Sequence, residues 1–314
     1  MEKFAPLLAY CFANKSCAFK MIELHNELKQ RVDNKDFSTL DLVHHLSSGF
    51  KGVLTKVTFD GLDSIRLNCG GAGFSHWSGL PQLVLDFAPN TTFEGDNTLL
   101  LLQASRLIMK NMINITTRGM KASGVFSYLN DAEKLSSSKF AAFTAEQAMD
   151  IQVLENALAA RAVVEIKKVF MKFASSPASQ NEKMNSLYGI ALVKAANLHA
   201  RYLIFKIFRE DVESNIKDKK IREIMNILIA MVGLHELKTD SAPLYECGYF
   251  SSGSHTVIED ALKIVYVKLR PYMVGLVECF ERSDNSLTSA IGNSYGDIYE
   301  TQLEWARGSR LNNN

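Results

Sequence analysis

The sequence of 314 residues has little of several features that would restrict its class. Its six prolines leave long stretches in which helices meet no obstacle. Its five cysteines are odd in number and contain no Cys-x-x-Cys pair, so we expect free thiols rather than a disulfide framework or a zinc site. No apolar run approaches the roughly 20 residues that cross a bilayer, and the formal net charge is +1. We therefore expect no membrane span and no nucleic-acid partner.

Helical periodicity is what the sequence does contain. Apolar residues recur at spacings of three and four along most of the chain, which is typical of helices with one buried face. A short stretch from Val53 to Phe59 alternates as a strand would, but it sits inside a longer helical pattern. We expect Pro243 in a loop and a division of the last apolar region at Pro271. The predicted helices cover Phe4–Val32, a segment from Ser38, Asn97–Met112, Thr144–Phe173, Glu182–Phe208 and Ile221–Leu237.

A polar stretch with small residues, from Asn114 to Lys139, interrupts this pattern. Such composition between periodic segments marks a boundary. The sequence therefore predicts an all-α chain of two helical bundles, with domains at residues 1–135 and 136–314.

One carboxylate stands in an unusual setting, in the run Phe93-Glu94-Gly95-Asp96-Asn97-Thr98, just before the apolar residues Leu99 to Leu102. One interpretation is a helix start, because Asp, Asn and Thr cap helices well and acids suit the helix dipole. The other is a functional carboxylate, because a dry setting disfavours the charged form and makes a carboxylate more basic.

A glycine-rich segment precedes this run, in the order Cys69-Gly70-Gly71-Ala72-Gly73-Phe74, followed by Gly79-Leu80-Pro81. It is not a dinucleotide-binding fingerprint, since that motif follows a strand and opens a helix, whereas the residues before Cys69 have helical spacing. The spacing favours a glycine helix end followed by a loop. Consecutive glycines can also direct N–H groups toward a phosphate oxygen.

Taken together, the two segments resemble the acyl-CoA oxidases, the flavin enzymes of fatty acid β-oxidation. The order and spacing of the glycine segment, Gly79-Leu80-Pro81 and the run from Phe93 to Thr98 carry the resemblance, with Leu102 to Leu107 fitting downstream. Weaker similarity lies at both ends, including Gly296-Asp297-Ile298-Tyr299-Glu300. The resemblance spans nearly the whole chain but only the later part of a full-length member.

The resemblance implies a fold, a chemistry and a set of site residues. Family members remove an α-proton of a fatty acyl-CoA with a glutamate while a hydride passes to FAD, which dioxygen reoxidises, giving trans-2-enoyl-CoA and hydrogen peroxide. Glu94 matches the catalytic glutamate. Gly70, Gly71 and Gly73 match the glycine loop near FAD, and Asp96 and Asn97 match positions that also contact the cofactor. The resemblance further implies a homodimer and a peroxisomal location.

Two features depart from the family and leave an alternative open. The domains that precede the matched region in full-length members are missing, so the chain is expected to be incomplete alone. Ser309-Arg310-Leu311 resembles a peroxisomal signal, but three asparagines follow it, so we expect no readable signal. The alternative function is a non-catalytic helical subunit, structural or binding, derived from an acyl-CoA oxidase.

Overall fold

The computed structural model describes residues 1–312, and these residues form helices joined by turns, with no strand among them. The predicted all-α class is therefore confirmed. Over the same residues, no helix is both long and apolar enough to cross a membrane. In chain order the α-helices are α1 (Ala5–Asp33), α2 (Leu40–Asn68), α3 (Leu80–Phe87), α4 (Asn97–Arg118), α5 (Ala132–Ser137), α6 (Ala145–Ala148), α7 (Ile151–Ser175), α8 (Gln180–Glu182), α9 (Gly189–Asn215), α10 (Lys219–Thr239), α11 (Ala242–Glu246), α12 (Ser254–Leu269), α13 (Met273–Glu278), α14 (Asp284–Leu287) and α15 (Ile298–Arg307).

The chain forms two compact units. The first consists of residues 1–54 and 95–271, and the second of residues 55–94 and the segment that begins at Tyr272. Each unit is therefore built from two separate stretches of chain. The predicted domain boundary between residues 135 and 136 falls within α5, and it stays a prediction. The asparagines at 313 and 314, on which the expectation of a silent targeting signal depends, lie outside the described residues.

The long predicted helices are present, with ends set by local capping. α4 continues beyond Met112 to Arg118 and ends where Gly119 adopts a φ of +63°, a conformation that favours glycine. The single helix predicted from Thr144 is two helices, because the Asp150 side chain accepts a hydrogen bond from the Val153 N–H at 3.0 Å and starts α7 anew.

The prolines divide between one correct and one wrong prediction. Pro271 separates α12 from α13, as expected, through the short 3-10 turn Arg270–Tyr272. The prediction of a loop at Pro243 is wrong. Pro243 lies in the first turn of α11, where the N–H that proline lacks would have no helical partner in any case.

The first unit has α7, α9 and α10 at its centre, with α1, α4 and α12 packed around them. Their apolar spacing explains this arrangement, since residues three and four apart share one helix face. Burial of each large aliphatic side chain contributes about 1.5–3 kcal/mol to folding. The residues whose spacing predicts the apolar face of α7 are Ile151, Leu154, Leu158, Ala162, Ile166, Val169 and Phe173. All of them are buried except Ile151, which is half-buried.

A charged cluster lies inside this apolar centre. Arg161 donates through Nη2 to Oε2 of Glu236 at 2.7 Å, and Arg201 donates through Nη1 to Oε1 at 2.5 Å. The Tyr10 hydroxyl also donates to Oε1 of Glu236. A second guanidinium nitrogen of Arg161 donates to the backbone carbonyls of Glu236 and Asp240, at 2.7 and 3.0 Å. The cluster thereby joins α1, α7, α9 and α10.

The cluster is almost fully removed from solvent, with Arg161 0% exposed and Glu236 3% exposed. Burial by itself raises the pKa of Glu236, but Arg201 and Arg161 lower it by more, so the net pKa lies below its ordinary value. A buried charge is tolerated only when partners of opposite sign surround it. Glu236 therefore stays ionised while it holds two arginines in place.

A chain of neutral hydrogen bonds joins α2, α4 and α9. Nδ1 of His45 lies 2.9 Å from the Ala104 carbonyl, which can only accept, so this nitrogen carries the proton. Nε2 of His45 must then accept from Nε2 of His199 at 3.0 Å. Nδ1 of His199 is left as the acceptor for the Tyr128 hydroxyl at 2.6 Å. Each donor therefore has one possible direction.

The same burial disfavours protonation of both rings. It lowers the pKa of His45 to about 4 and lowers the pKa of His199 well below its ordinary value. In this arrangement, a proton added to Nε2 of His45 would also face the N–H of His199, so two donors would meet. The neutral forms are thus part of the fold.

The second unit has short helices and exposed aromatic rings. The Ala290 N–H donates to the Trp77 carbonyl at 2.8 Å, and the Ser289 hydroxyl donates to the Ser78 carbonyl at 2.5 Å. These bonds join its two stretches of chain. Tyr295 and Tyr299 are 87% and 82% exposed, so this unit buries less of its aromatic surface than the first.

Replacing Glu236 by Gln is expected to destabilise the fold by about 3–5 kcal/mol, because the buried Arg161 and the half-buried Arg201 would lose their anionic partner. Glu259→Gln is the matched control, since its side chain is 41% exposed and pairs with Lys238 at the surface. That control should change the free energy of unfolding by less than about 1 kcal/mol. Urea unfolding measures both variants, and equal effects would contradict the central role of the cluster.

Acidification from pH 6.5 to about 4 is expected to destabilise the protein. The pKa of His45 is lower in the folded than in the unfolded state. The neutral ring therefore contributes fully to the free energy of unfolding at a pH above the pKa of the unfolded state, and this contribution is lost as the pH falls toward the pKa of the folded state. The loss is about 1.4 kcal/mol for each pKa unit of difference. Urea unfolding across this range should show a weaker pH dependence in His45→Asn, whereas the exposed neighbour variant His44→Asn should keep the wild-type slope. Equal slopes in all three proteins would refute this account.

Candidate functional site

The carboxylate singled out by the sequence lies in a turn with unusual backbone angles. The turn follows a short 3-10 helix, Ala88–Thr91, and the Phe93 N–H donates to the Pro89 carbonyl at 2.9 Å. Glu94 then adopts a φ of +57° and Gly95 a φ of +107°. A non-glycine residue in the left-handed region is uncommon, and such strain concentrates at functional sites. Lys35, Glu281 and Thr288 also have a positive φ, so the angle agrees with a functional Glu94 but does not by itself single it out.

The surroundings of Glu94 differ from the dry setting that the sequence suggested. Glu94 is exposed, and the neighbouring Phe93 ring is 53% exposed. The described residues therefore do not themselves exclude water from this carboxylate. A dry setting for this carboxylate requires further atoms placed against it.

The residues after Glu94 start α4. The Asp96 carboxylate accepts hydrogen bonds from the N–H groups of Thr98 and Leu99, at 2.8 and 3.4 Å, and so caps the helix. The helix-start interpretation of this run is therefore correct for Asp96. Asn97 is the first residue of α4, and its Oδ1 accepts from the Lys51 ammonium at 2.9 Å. The cofactor contacts of Asp96 and Asn97 stay predictions.

The glycine segment directly follows the end of α2 and forms one 3-10 turn, Gly70–Gly73. Gly73 is buried, and a Cβ there would lie 1.9 Å from the Arg66 carbonyl oxygen. Packing within the chain is a sufficient reason for glycine at this position. The expectation of a helix end followed by a turn is correct.

Gly70 and Gly71 differ from Gly73, because both are exposed and a Cβ at either would meet no atom within 4 Å. Gly70 has a φ of +57°, which explains its residue type, but Gly71 has no positive φ. Neither conformation nor packing within the described residues requires glycine at 71. Bare backbone of this kind suits the close approach of a flat ring or a phosphate. Contact of these glycines with FAD stays a prediction.

The structure brings the predicted site residues together only in part. Asp96 and Asn97 adjoin Glu94 along the chain, and the three glycines share one turn. Within the described residues, no hydrogen bond connects that turn to Glu94.

Sequence reasoning missed one residue beside the Glu94–Gly95 turn, which is Lys51 on α2. Its ammonium donates to the Gly95 carbonyl at 2.5 Å as well as to Asn97. The two partners lie 44 and 46 residues away in sequence, so no local spacing could have indicated the contact.

Comparison with known proteins places the chain in a family. The acyl-CoA oxidase family model matches residues 150–314, and the model of the acyl-CoA oxidase C-alpha1 domain matches residues 1–109. The chain therefore belongs to the acyl-CoA oxidase family, and the resemblance carried by the glycine segment and the Glu94 run is confirmed.

Individual relatives agree with the family match. The peroxisomal acyl-coenzyme A oxidase 1 of Phascolarctos cinereus is 30% identical, over 99% of this chain and 47% of that protein. The structure of Arabidopsis thaliana acyl-CoA oxidase 1 has a TM-score of 0.93 and 27% identity, over 99% of this chain and 47% of that one. Caenorhabditis elegans acyl-CoA oxidase-2, bound with FAD, ascaroside-CoA and ATP, has a TM-score of 0.89 and 28% identity, over 100% of this chain and 46% of that one. The chain spans about half the length of the relatives it matches.

Alanine at the two kinds of glycine is expected to have opposite effects on stability. Gly73→Ala should destabilise the protein by about 1–3 kcal/mol or more, because its methyl group would overlap a backbone carbonyl. Gly71→Ala should leave stability unchanged or raise it by about 0.4–1 kcal/mol, through a less flexible unfolded chain. Thermal or urea unfolding compares them, and a large loss in Gly71→Ala would show that this glycine serves the fold.

Proposed function

We propose that this chain is the part of an acyl-CoA oxidase that carries the catalytic base. Glu94 would remove the α-proton of a fatty acyl-CoA, giving trans-2-enoyl-CoA as the organic product. The observation that carries this proposal is the left-handed backbone of Glu94, in a run that matches the family's catalytic segment. A strained acidic residue that the fold holds in one conformation is expected of a base that must meet a substrate carbon in a fixed direction.

The role of Glu94 is proton transfer, and its neighbours have supporting roles. A positioned general base contributes typically about 10²–10⁴-fold to a rate. Gly95, with its positive φ, allows the chain to turn immediately after the base. Asp96 caps α4, so the turn is attached to a well-formed helix.

FAD is the proposed cofactor, and when bound it would supply hydride acceptance from the β-carbon and reoxidation by dioxygen, with hydrogen peroxide as the product. Gly70, Gly71 and Gly73 would form the surface against which it lies, with Asp96 and Asn97 as further contacts. The open space at Gly70 and Gly71 supports this assignment. Relatives of known structure support it further, since Caenorhabditis elegans acyl-CoA oxidase-1 and oxidase-2 were solved with FAD.

The remaining parts of the proposal follow from the family. We include a homodimer, which the family resemblance implies, and a peroxisomal location, because relatives are named peroxisomal oxidases. The two-bundle division at 135/136 is retained as well, and the two family matches, which end at 109 and resume at 150, support it. The other half of an oxidase's length would supply the walls that keep water from Glu94.

A second candidate function is a non-catalytic helical subunit derived from an oxidase. The exposure of Glu94 favours it, since a base open to water has lost the setting that its reaction needs. The retained run Phe93-Glu94-Gly95 favours the catalytic proposal, because a structural subunit would not need it.

The decisive experiment combines the purified chain with a polypeptide that carries the other half of an oxidase's length, and measures flavin binding and peroxide formation. Wild type supplied with FAD should bind it and form hydrogen peroxide with a fatty acyl-CoA, and Glu94→Gln should lower turnover by about 10²–10⁴-fold without changing stability. Gly71→Ala should weaken FAD binding. Glu223→Gln, an exposed glutamate on α10, is the control and should retain full activity.

Two outcomes would contradict the catalytic proposal. If the chain combined with the other half of an oxidase forms no peroxide from FAD and a fatty acyl-CoA, the structural alternative replaces the catalytic proposal. Full turnover in Glu94→Gln would assign the base elsewhere.

A further inference from the structure

α2 lies unusually close to the start of α4. A Cβ at Gly52 would lie 2.9 Å from Cγ of Leu101 and 3.2 Å from the Asn97 carbonyl oxygen. Side chains do not tolerate such distances, so only glycine allows the two helices to lie this close. One helical turn earlier, Gly49 faces Ala104 of α4, at 3.8 Å from an added Cβ. The seam between α2 and α4 is therefore built on small residues and ends at the first turn of α4.

Lys51, the residue before Gly52, contacts the chain around the start of α4. The short distance between the helices lets the half-buried Lys51 reach past the first turn of α4 to the chain that precedes it. Its ammonium donates to the Gly95 carbonyl at 2.5 Å and to Oδ1 of Asn97 at 2.9 Å. Hydrogen bonds from a charged donor are stronger than neutral ones. Lys51 thus contacts the chain on both sides of Asp96.

The hydrogen bonds of Lys51 adjoin a turn with unusual backbone angles at Glu94 and Gly95. Glu94 has a φ of +57° and Gly95 a φ of +107°. L-residues rarely adopt such positive angles. Strained angles persist only where surrounding contacts over-determine them. The Gly95 carbonyl belongs to the peptide plane that follows this turn, so fixing it also restricts the turn.

We propose that Lys51 is a positioning residue, which holds the Glu94–Gly95 turn in the conformation that presents the Glu94 carboxylate. This inference rests on the proposed function only in naming Glu94 as the base. Lys51 itself touches neither substrate nor cofactor in this scheme. It acts through the Gly95 carbonyl.

The test compares Lys51→Met, which removes the charge and the donors, with Lys51→Arg, which keeps both. Lys56→Met is the control, because Lys56 lies five positions further along α2 and pairs with Asp60 at the surface. The carbon chemical shifts of the Glu94 backbone report its φ in the full chain. Lys51→Met should move them toward values of ordinary φ, Lys51→Arg should restore them, and Lys56→Met should leave them unchanged.

A kinetic readout separates positioning from general loss of structure. In the peroxide assay, Lys51→Met should lower kcat by about 10- to 100-fold with little change in KM, because a misplaced base slows chemistry without weakening binding. Lys51→Arg should recover most of that loss. If Lys51→Met fails to fold, Lys51→Gln, which keeps a donor but not the charge, takes its place in both measurements.

The outcomes distinguish this inference from the proposed function. Unchanged Glu94 shifts in Lys51→Met, with Glu94→Gln inactive, would overturn the role of Lys51 and leave the base assignment standing. Changed Glu94 shifts in Lys51→Met, with Glu94→Gln fully active, would overturn the base assignment and leave Lys51 as a brace of the turn. Changed shifts with an inactive Glu94→Gln support both.

Discussion

The ionised carboxylate of Glu236 is the interaction on which the helical core depends. Its two oxygens take hydrogen bonds from α1, α7 and α9, while α10 carries the glutamate itself. Apolar packing alone would let these helices slide along one another at modest cost, because hydrophobic contact has no direction. Charge-assisted hydrogen bonds do have direction, and a buried cluster that loses one member leaves the other charges unpaired. Glu236 therefore fixes the relative positions of four helices that apolar burial merely brings together.

α9 connects the Glu236 cluster to α2, the helix that carries Lys51. The same helix that presents Arg201 to Glu236 also presents His199 to His45 of α2, and His45 in turn donates to the Ala104 carbonyl of α4. α2 is thus aligned on α4 by directional bonds at one end of their seam and by the glycine contacts further along. Lys51 continues the same alignment to the chain before α4.

Sequence reasoning recovered what local patterns encode and missed what distant contacts decide. The spacing of Leu154, Leu158 and Ile166 predicted a buried face of α7, and the residue types at Asp96 to Thr98 predicted a helix start. Pro243 was placed in a loop because a proline at the first turn of a helix and a proline in a loop have the same sequence signature. His45, His199 and Lys51 have partners far away in sequence, so their roles follow from the packing of whole helices and have no local signal.

Under the proposed function, the requirements of the Glu94 site are divided between this chain and what surrounds it. Backbone direction is a local property, and this chain supplies it through the left-handed turn, Gly95 and the Asp96 cap. Exclusion of water is a property of everything placed against the carboxylate, and the described residues do not supply it. In the proposed function, the turn fixes the direction of the Glu94 carboxylate before its surroundings raise its basicity. Its basicity would then appear only when cofactor, substrate and the rest of an oxidase close around it, which protects a strained carboxylate from acting on the wrong molecule.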